Sequence, residues 1–358
     1  MSRRLPFLLA LVSLAGAWKP SLAAGATAED ELPLNTHRLS ERVLIAWVGS
    51  HVQTIDVVAL KTARGLVVIE TNLIRTADQR IRRAIEATFG RRDFKYLINT
   101  HYHHDHTCGN QVYADATVVG HVTVPEGMKS ELTGEGLVRL VDKFKAMAKD
   151  WGDGLAESEP GSRDHHYLRE GVALYKTAVD ELQSGFTPTP PTLLFDRSLV
   201  LDMGDMTLEL YAVGGMHTPS DIMVFIPEEG LVAVGDVTPD RMLPYLRKGA
   251  GWDLDLILES WGKVVAGGRD IKYVNMAHSH MDLSVATFRE QYVYLKTLWG
   301  GLRELRRQGA SLETAKSRYS IERDFPYFKD RTLVVRGTNI HENNVEAIWE
   351  KLAATSSS

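Results

Sequence analysis

Asn99-Thr100-His101-Tyr102-His103-His104-Asp105-His106 is the stretch on which the reading of this chain turns. It follows Tyr96-Leu97-Ile98, an apolar run of the kind that forms a buried strand. Histidines two apart at a strand end point the same way in extended backbone, and Asp105 and His106 follow where the chain must turn. Imidazole and carboxylate donors gathered in this way suit a divalent cation such as zinc. A solvent-exposed histidine cluster is the competing reading. The Gly109-Asn110 turn and the helix start that follow the cluster weigh against it.

The segments before the cluster alternate between strand and helix. Val43-Leu44-Ile45-Ala46-Trp47, Thr54 to Leu60 and Leu66-Val67-Val68-Ile69 are β-rich runs separated by Gly49-Ser50 and Arg64-Gly65. Thr76-Ala77-Asp78-Gln79 has capping-box spacing, and Ile81, Ala84, Ile85 and Phe89 recur with helical period. This order predicts an α/β layered fold. After a strand at Ala116 to Gly120, two helical stripes appear, Leu137 to Ala148 and Leu168 to Leu182. A polar loop, Trp151 to Ser162, is expected between them, and Thr187-Pro188-Thr189-Pro190-Pro191 stiffens the exit. The segment 125–191 therefore reads as a helical insertion. It is open to two roles, a lid over a cleft or a contact with a second subunit. His165-His166 on it reads as an exposed pair. Strand character returns at Thr207 to Val213, Ile222 to Ile226, Leu231 to Gly235 and Ile271 to Met276, and 286–354 is expected to be a helical C-terminal extension.

Together these motifs resemble the metallo-β-lactamase superfamily, whose signature is H-x-H-x-D-H after a strand. Carried over residue by residue, the resemblance gives His101, His103, Asp105 and His106 the ligand positions, with Tyr102 and His104 in the variable ones. Gly214-Gly215-Met216-His217-Thr218-Pro219 resembles the family's G-x-x-H-T-P turn, Gly235-Asp236 its bridging aspartate, and Met276-Ala277-His278-Ser279-His280 its last histidine position. His101, His103 and His217 would hold one metal; Asp105, His106 and His278 the other; Asp236 would bridge, and His280 is held in reserve for His278. Taken singly, Asp236 reads equally as a turn former and His217 as a core histidine. The fold implied is a four-layered αββα sandwich of two mixed sheets flanked by helices, spanning 38–285. The chain departs from the family at Glu70, where aspartate is usual, and it lacks a cysteine ligand after His217. The one cysteine, Cys108, reads as packing.

The function expected from the resemblance is that of a metal-dependent hydrolase carrying two Zn²⁺. A hydroxide shared by the metals would attack the carbonyl of a lactone, ester, thioester or β-lactam amide, with Asp105 as ligand and proton acceptor. Arg241 and Tyr245, in a Tyr- and Arg-bearing loop after Asp236, are candidate substrate contacts, and so is His280. The alternatives are a mononuclear iron persulfide dioxygenase-like oxidoreductase and a non-catalytic metal-binding or cofactor-assembly protein.

Composition limits the partners. The 358 residues are 44% hydrophobic and 24% charged, values of an ordinary globular protein. Arg3-Arg4, the apolar run Leu5 to Ala17 and Ser21-Leu22-Ala23 have the shape of a signal peptide over 1–23, too short for a membrane span. A periplasmic or secreted location follows. Cleavage after Ala23 removes three cations and no acid and takes the formal charge from −5 to −8. An acidic exported protein is expected to bind a small-molecule substrate, not nucleic acid, and to carry no stable membrane anchor; the oligomeric state is left open.

Overall fold

The computed structural model describes residues 32–50, 53–238, 242–246, 251–265, 268–279, 284–331, 333–335 and 337–355. The expected signal segment 1–23 lies outside them, as do Arg241 and His280.

Two mixed sheets form the centre. The first runs β1 (Leu34–Arg38), β2 (Val43–Val48), β3 (Val57–Thr62), β4 (Gly65–Ile69), β5 (Phe94–Ile98), β6 (Thr117–His121) and β7 (Leu193–Phe195), in that spatial order. Its first four strands are antiparallel neighbours, and β4 to β7 pair in parallel. The second has the order β12-β11-β10-β9-β8, from β8 (Ser198–Asp202), β9 (Thr207–Ala212), β10 (Ile222–Ile226), β11 (Leu231–Ala233) and β12 (Tyr273–Asn275). Only β11 and β12 pair in parallel within it.

The near-continuous apolar runs are explained by burial on both faces. Val43 and Ile45 of β2 and Val58 and Leu60 of β3 turn inward onto Leu208, Leu210, Ile222 and Val224 of the second sheet. Their alternates, Leu44, Ala46, Val57 and Ala59, share a second core with Ile81 and Ile85 of α1 (Arg75–Phe89). On the far side, Met223, Phe225, Val232 and Val274 pack with Ile257 and Trp261 of α6 (Leu254–Val265) and Phe288 and Leu295 of α7 (Val285–Arg307). The period of two thus divides the strand side chains between three cores and makes the αββα layering obligatory.

Between β6 and β7 the chain forms α3 (Val124–Leu132), α4 (Gly134–Glu157) and α5 (Arg163–Gln183), after a one-turn α2 (His104–Thr107) in the histidine cluster. The expected polar loop from Trp151 is corrected: α4 continues through Glu157, leaving a connection of five residues, 158–162. Trp151 explains the extension, because its ring packs on Tyr167 and Tyr175 of α5. The capping box at Thr76 does not form either. Helix α1 starts at Arg75, and Glu181 of α5 accepts from the amides of Arg75 at 2.5 Å and Thr76 at 3.0 Å. Beyond α7 lie α8 (Leu312–Arg318), α9 (Ile321–Asp324) and α10 (Ile340–Thr355), whose Val345, Ile348, Trp349 and Leu352 are buried as the stripe predicted. Strands β1, β7 and β8 were not apparent in the pattern: they lie in polar or short segments at or near sheet edges. Among the described residues no helix is long and apolar enough to cross a membrane.

Candidate metal centre

Four strand ends deliver the polar cluster to one edge of the sandwich. His101 follows β5, His217 the turn after β9, Asp236 the end of β11, and His278 the end of β12. The sheets are tied together there, since the Ile222 amide donates to the Thr100 carbonyl at 2.9 Å. The Gly-Asp sequence has a steric reason. Gly235 has φ +55°, and a Cβ at that position would lie 2.2 Å from Thr100 Oγ1, so only glycine lets Asp236 approach His101.

The cage has two halves. His103 Nδ1 lies 3.1 Å from His101 Nε2 and 3.0 Å from His217 Nε2, and Asp236 Oδ2 is 3.4 Å from His217 Nε2 and 4.0 Å from His101 Nε2. In the other half, Asp236 Oδ1 is 3.5 Å from His106 Nε2 and 3.3 Å from His278 Nε2. Asp105 Oδ2 is 4.0 and 3.6 Å from the same two nitrogens. Four donors around a cation with bonds near 2.1 Å stand about 3.4 Å apart in a tetrahedron, so both halves have the spacing of a zinc-type site. His106 Nε2 and Asp236 Oδ1 are buried without a hydrogen-bond partner, a costly arrangement for a protein to leave unsatisfied and one that a cation resolves. The residues present therefore fit two metal ions.

Electrostatics favour the ligand forms in the first half. Burial, reinforced by neighbouring imidazoles, holds His101 well below the usual histidine range, and burial beside His217 takes His103 to about 4. Both are neutral at pH 7. In the second half burial opposes charge on His106, yet Asp236, Glu70 and Asp105 together raise it well above the ordinary value. Burial likewise disfavours the carboxylates, but His106, His104 and His278 draw Asp105 down, and His278 and His106 do the same to Asp236.

Supporting contacts fix the candidate ligands. Thr71 Oγ1 and Asn99 Nδ2 both donate to the His106 carbonyl, at 2.9 and 3.1 Å, and Asn110 bonds to Asn99. Glu70 Oε1 lies 3.3 Å from His106 Nδ1 and accepts from Thr100 Oγ1, so the glutamate replaces the expected aspartate without losing contact with the loop. Asp221 accepts from the amides of His217 at 2.6 Å and Thr218 at 2.9 Å and from Thr218 Oγ1 at 2.6 Å, which closes the turn that aims His217. Asp221 had no signal of its own beyond lying two residues after Thr218-Pro219. His104 faces away: its Nδ1 pairs with Glu131 Oε1 of α3 at 2.8 Å, and its ring meets Phe144 of α4 edge-on. Cys108 is buried, its thiol pushed well up by burial, and it belongs to none of the cation-holding groups among the described residues.

The seven ligand candidates His101, His103, Asp105, His106, His217, Asp236 and His278 thus come together. Tyr245 is half-buried against the C-terminal core that includes Leu243 and Leu246.

A family model described as the metallo-beta-lactamase superfamily matches residues 67–278. No curated protein sequence matches the chain. Among solved structures it is similar to a metallo-beta-lactamase from Erythrobacter litoralis, at 15% identity over 73% of this chain and 95% of that one, with a TM-score of 0.46. A metallo-beta-lactamase from Pontibacter korlensis is 17% identical over 68% and 91%, with a TM-score of 0.43. The sec-alkylsulfatase Pisa1 from Pseudomonas sp. is 14% identical, covering 86% of this chain but 48% of the sulfatase, with a TM-score of 0.48.

Proposed function

The chain belongs to the metallo-beta-lactamase superfamily, and from that premise we propose that it is a dinuclear zinc hydrolase acting on a carbonyl group of a small molecule: a lactone, ester, thioester or β-lactam amide. The observation that carries this reading is the division of Asp236, which presents Oδ2 to the three-histidine half and Oδ1 to His106 and His278. A complete second half favours hydrolysis over the single-iron alternative, which needs only one set of ligands. It also favours a water-activating site over passive metal carriage.

His101, His103 and His217 would hold one zinc, Asp105, His106 and His278 the other, with Asp236 between them. When bound, such a pair supplies an activated water at neutral pH and polarises the substrate oxygen. Asp105 turns Oδ2 to the cage and Oδ1 toward His104 Nε2 at 4.0 Å. Kept ionised by its histidine neighbours, it would take the proton released from the attacking water at Oδ2, the oxygen that faces the cage. Glu70 and Asp221 hold His106 and His217 in place while this happens. Export through cleavage near Ala23 is part of the same proposal, supported by the Arg3-Arg4, Leu5 to Ala17 and Ser21 to Ala23 pattern.

The test pairs metal analysis with turnover. The wild type should carry two zinc ions per chain and hydrolyse at least one of a lactam, lactone and thioester panel. His101→Ala should lose metal and cut turnover by a factor of ~10² or more. Unchanged turnover in His101→Ala would refute the mechanism.

A further inference from the structure

A cavity of about 340 Å³ opens beside His103, between the histidine cluster and the helices inserted after β6. Tyr102 and His103 contribute to its lining, and so do Arg139 and Lys143 of α4. These two cations are four residues apart and share a helix face. The cavity therefore joins a cage residue to a basic wall contributed by a part of the chain outside the strand framework.

The charges on this wall are available to a ligand. Glu131 also lines the cavity, but its carboxylate is committed to His104, accepting from the amide at 3.1 Å and lying 2.8 Å from Nδ1. Arg139 meets Glu135 at 3.4 Å, with side chains 70% and 95% exposed, a pair of little energetic weight that a ligand displaces readily. Lys143 has no carboxylate partner among the described residues. The wall is also built to a fixed shape. Gly127 of α3 packs under Tyr102, where an added Cβ would lie 2.3 Å from the ring, and the His104–Glu131 pair locks α3 to the metal loop.

We propose that Arg139 and Lys143 form an anion subsite, holding a carboxylate or phosphoryl group of the substrate in the cavity beside His103. That the anion belongs to a substrate rests on the hydrolase reading; the anion site itself does not need turnover. Arginine offers a planar fork that matches either oxyanion bidentately, and lysine adds a point charge one helical turn away. The substrate class of the proposed hydrolase is thereby narrowed to molecules carrying a negative charge near the scissile bond.

The experiment measures equilibrium binding of benzoate, phenylphosphonate and neutral benzamide to the zinc-loaded full chain by ligand-observed NMR. It compares wild type, Arg139→Gln/Lys143→Gln and the control Lys145→Gln, with bound metal quantified in each. The double variant should weaken one or both anions at least tenfold more than it weakens benzamide, while Lys145→Gln changes no affinity by more than twofold. Whichever anion loses more names the head group. Equal losses for anion and amide, or wild-type anion affinity in the double variant, would overturn the proposal. Turnover of matched charged and neutral esters, thioesters, lactones and β-lactams is followed in parallel. If none of these is hydrolysed while the anions still discriminate, the hydrolase reading fails and the anion subsite stands.

Discussion

Glu70 places Oε1 3.3 Å from Nδ1 of His106, and it does so from a left-handed backbone, φ 71°, the one positive value among described non-glycine residues. Such a conformation costs on the order of 1–3 kcal/mol and persists where the surroundings demand it. Here the demand is a carboxylate behind His106, a candidate ligand of the second half-cage. Glu70→Gln removes the charge and keeps the shape. It should lower zinc affinity at the His106 half by about 10- to 100-fold while the three-histidine half stays filled. Metal titration with a competing chelator reads both steps; two unchanged affinities would show that Glu70 serves only the backbone.

Asp236 presents one oxygen to each half, so its loss should be felt twice. Asp236→Ala is expected to reduce bound zinc to one ion or fewer per chain and turnover by a factor of ~10² or more. Elemental analysis of dialysed protein checks this. Retention of two ions would mean that the halves are held independently.

Asp78 carries the pH prediction. Burial, opposed only in part by hydrogen bonds from Asn72, raises its carboxyl from 3.8 to about 8. Because the folded-state value is the higher, its contribution to stability is whole below pH 3.8 and is lost as the pH climbs to about 8. The slope for one proton is at most ~1.4 kcal/mol per pH unit. Asp78→Asn mimics the protonated form and should flatten the fall in melting temperature between pH 5 and pH 8.5. Parallel curves for the two proteins would count against it.

The cluster of histidines, the Gly-Asp strand end and the two-face burial of the strands were legible because each is local: a few adjacent residues carry both the pattern and its reason. What escaped the pattern is long-range. Glu181 caps α1 from 106 residues away, so nothing near Thr76 announces it. Asp221 acts through backbone amides, for which no side-chain pattern exists. Asn343 and Asn344 look like ordinary helix polar residues, yet both are buried and grip the chain after Asp236.

That grip gives a further prediction. Asn344 accepts from the Leu246 amide at 2.9 Å and donates to the Pro244 carbonyl at 2.6 Å. Asn344→Ala leaves both backbone groups buried and unpaired, at a cost of about 2–4 kcal/mol. The melting temperature should fall by several degrees, with the zinc content kept. A shift under about 1 °C would mean that the loop satisfies itself by other contacts.

The most direct measurement is anomalous diffraction at the zinc edge from crystals of the zinc-loaded protein. Two peaks per chain are expected, roughly 3.5–4 Å apart, with Asp236 between them, His101, His103 and His217 around one, and Asp105, His106 and His278 around the other. A single peak, or a pair whose ligands leave out Asp236 or His278, would contradict the dinuclear centre.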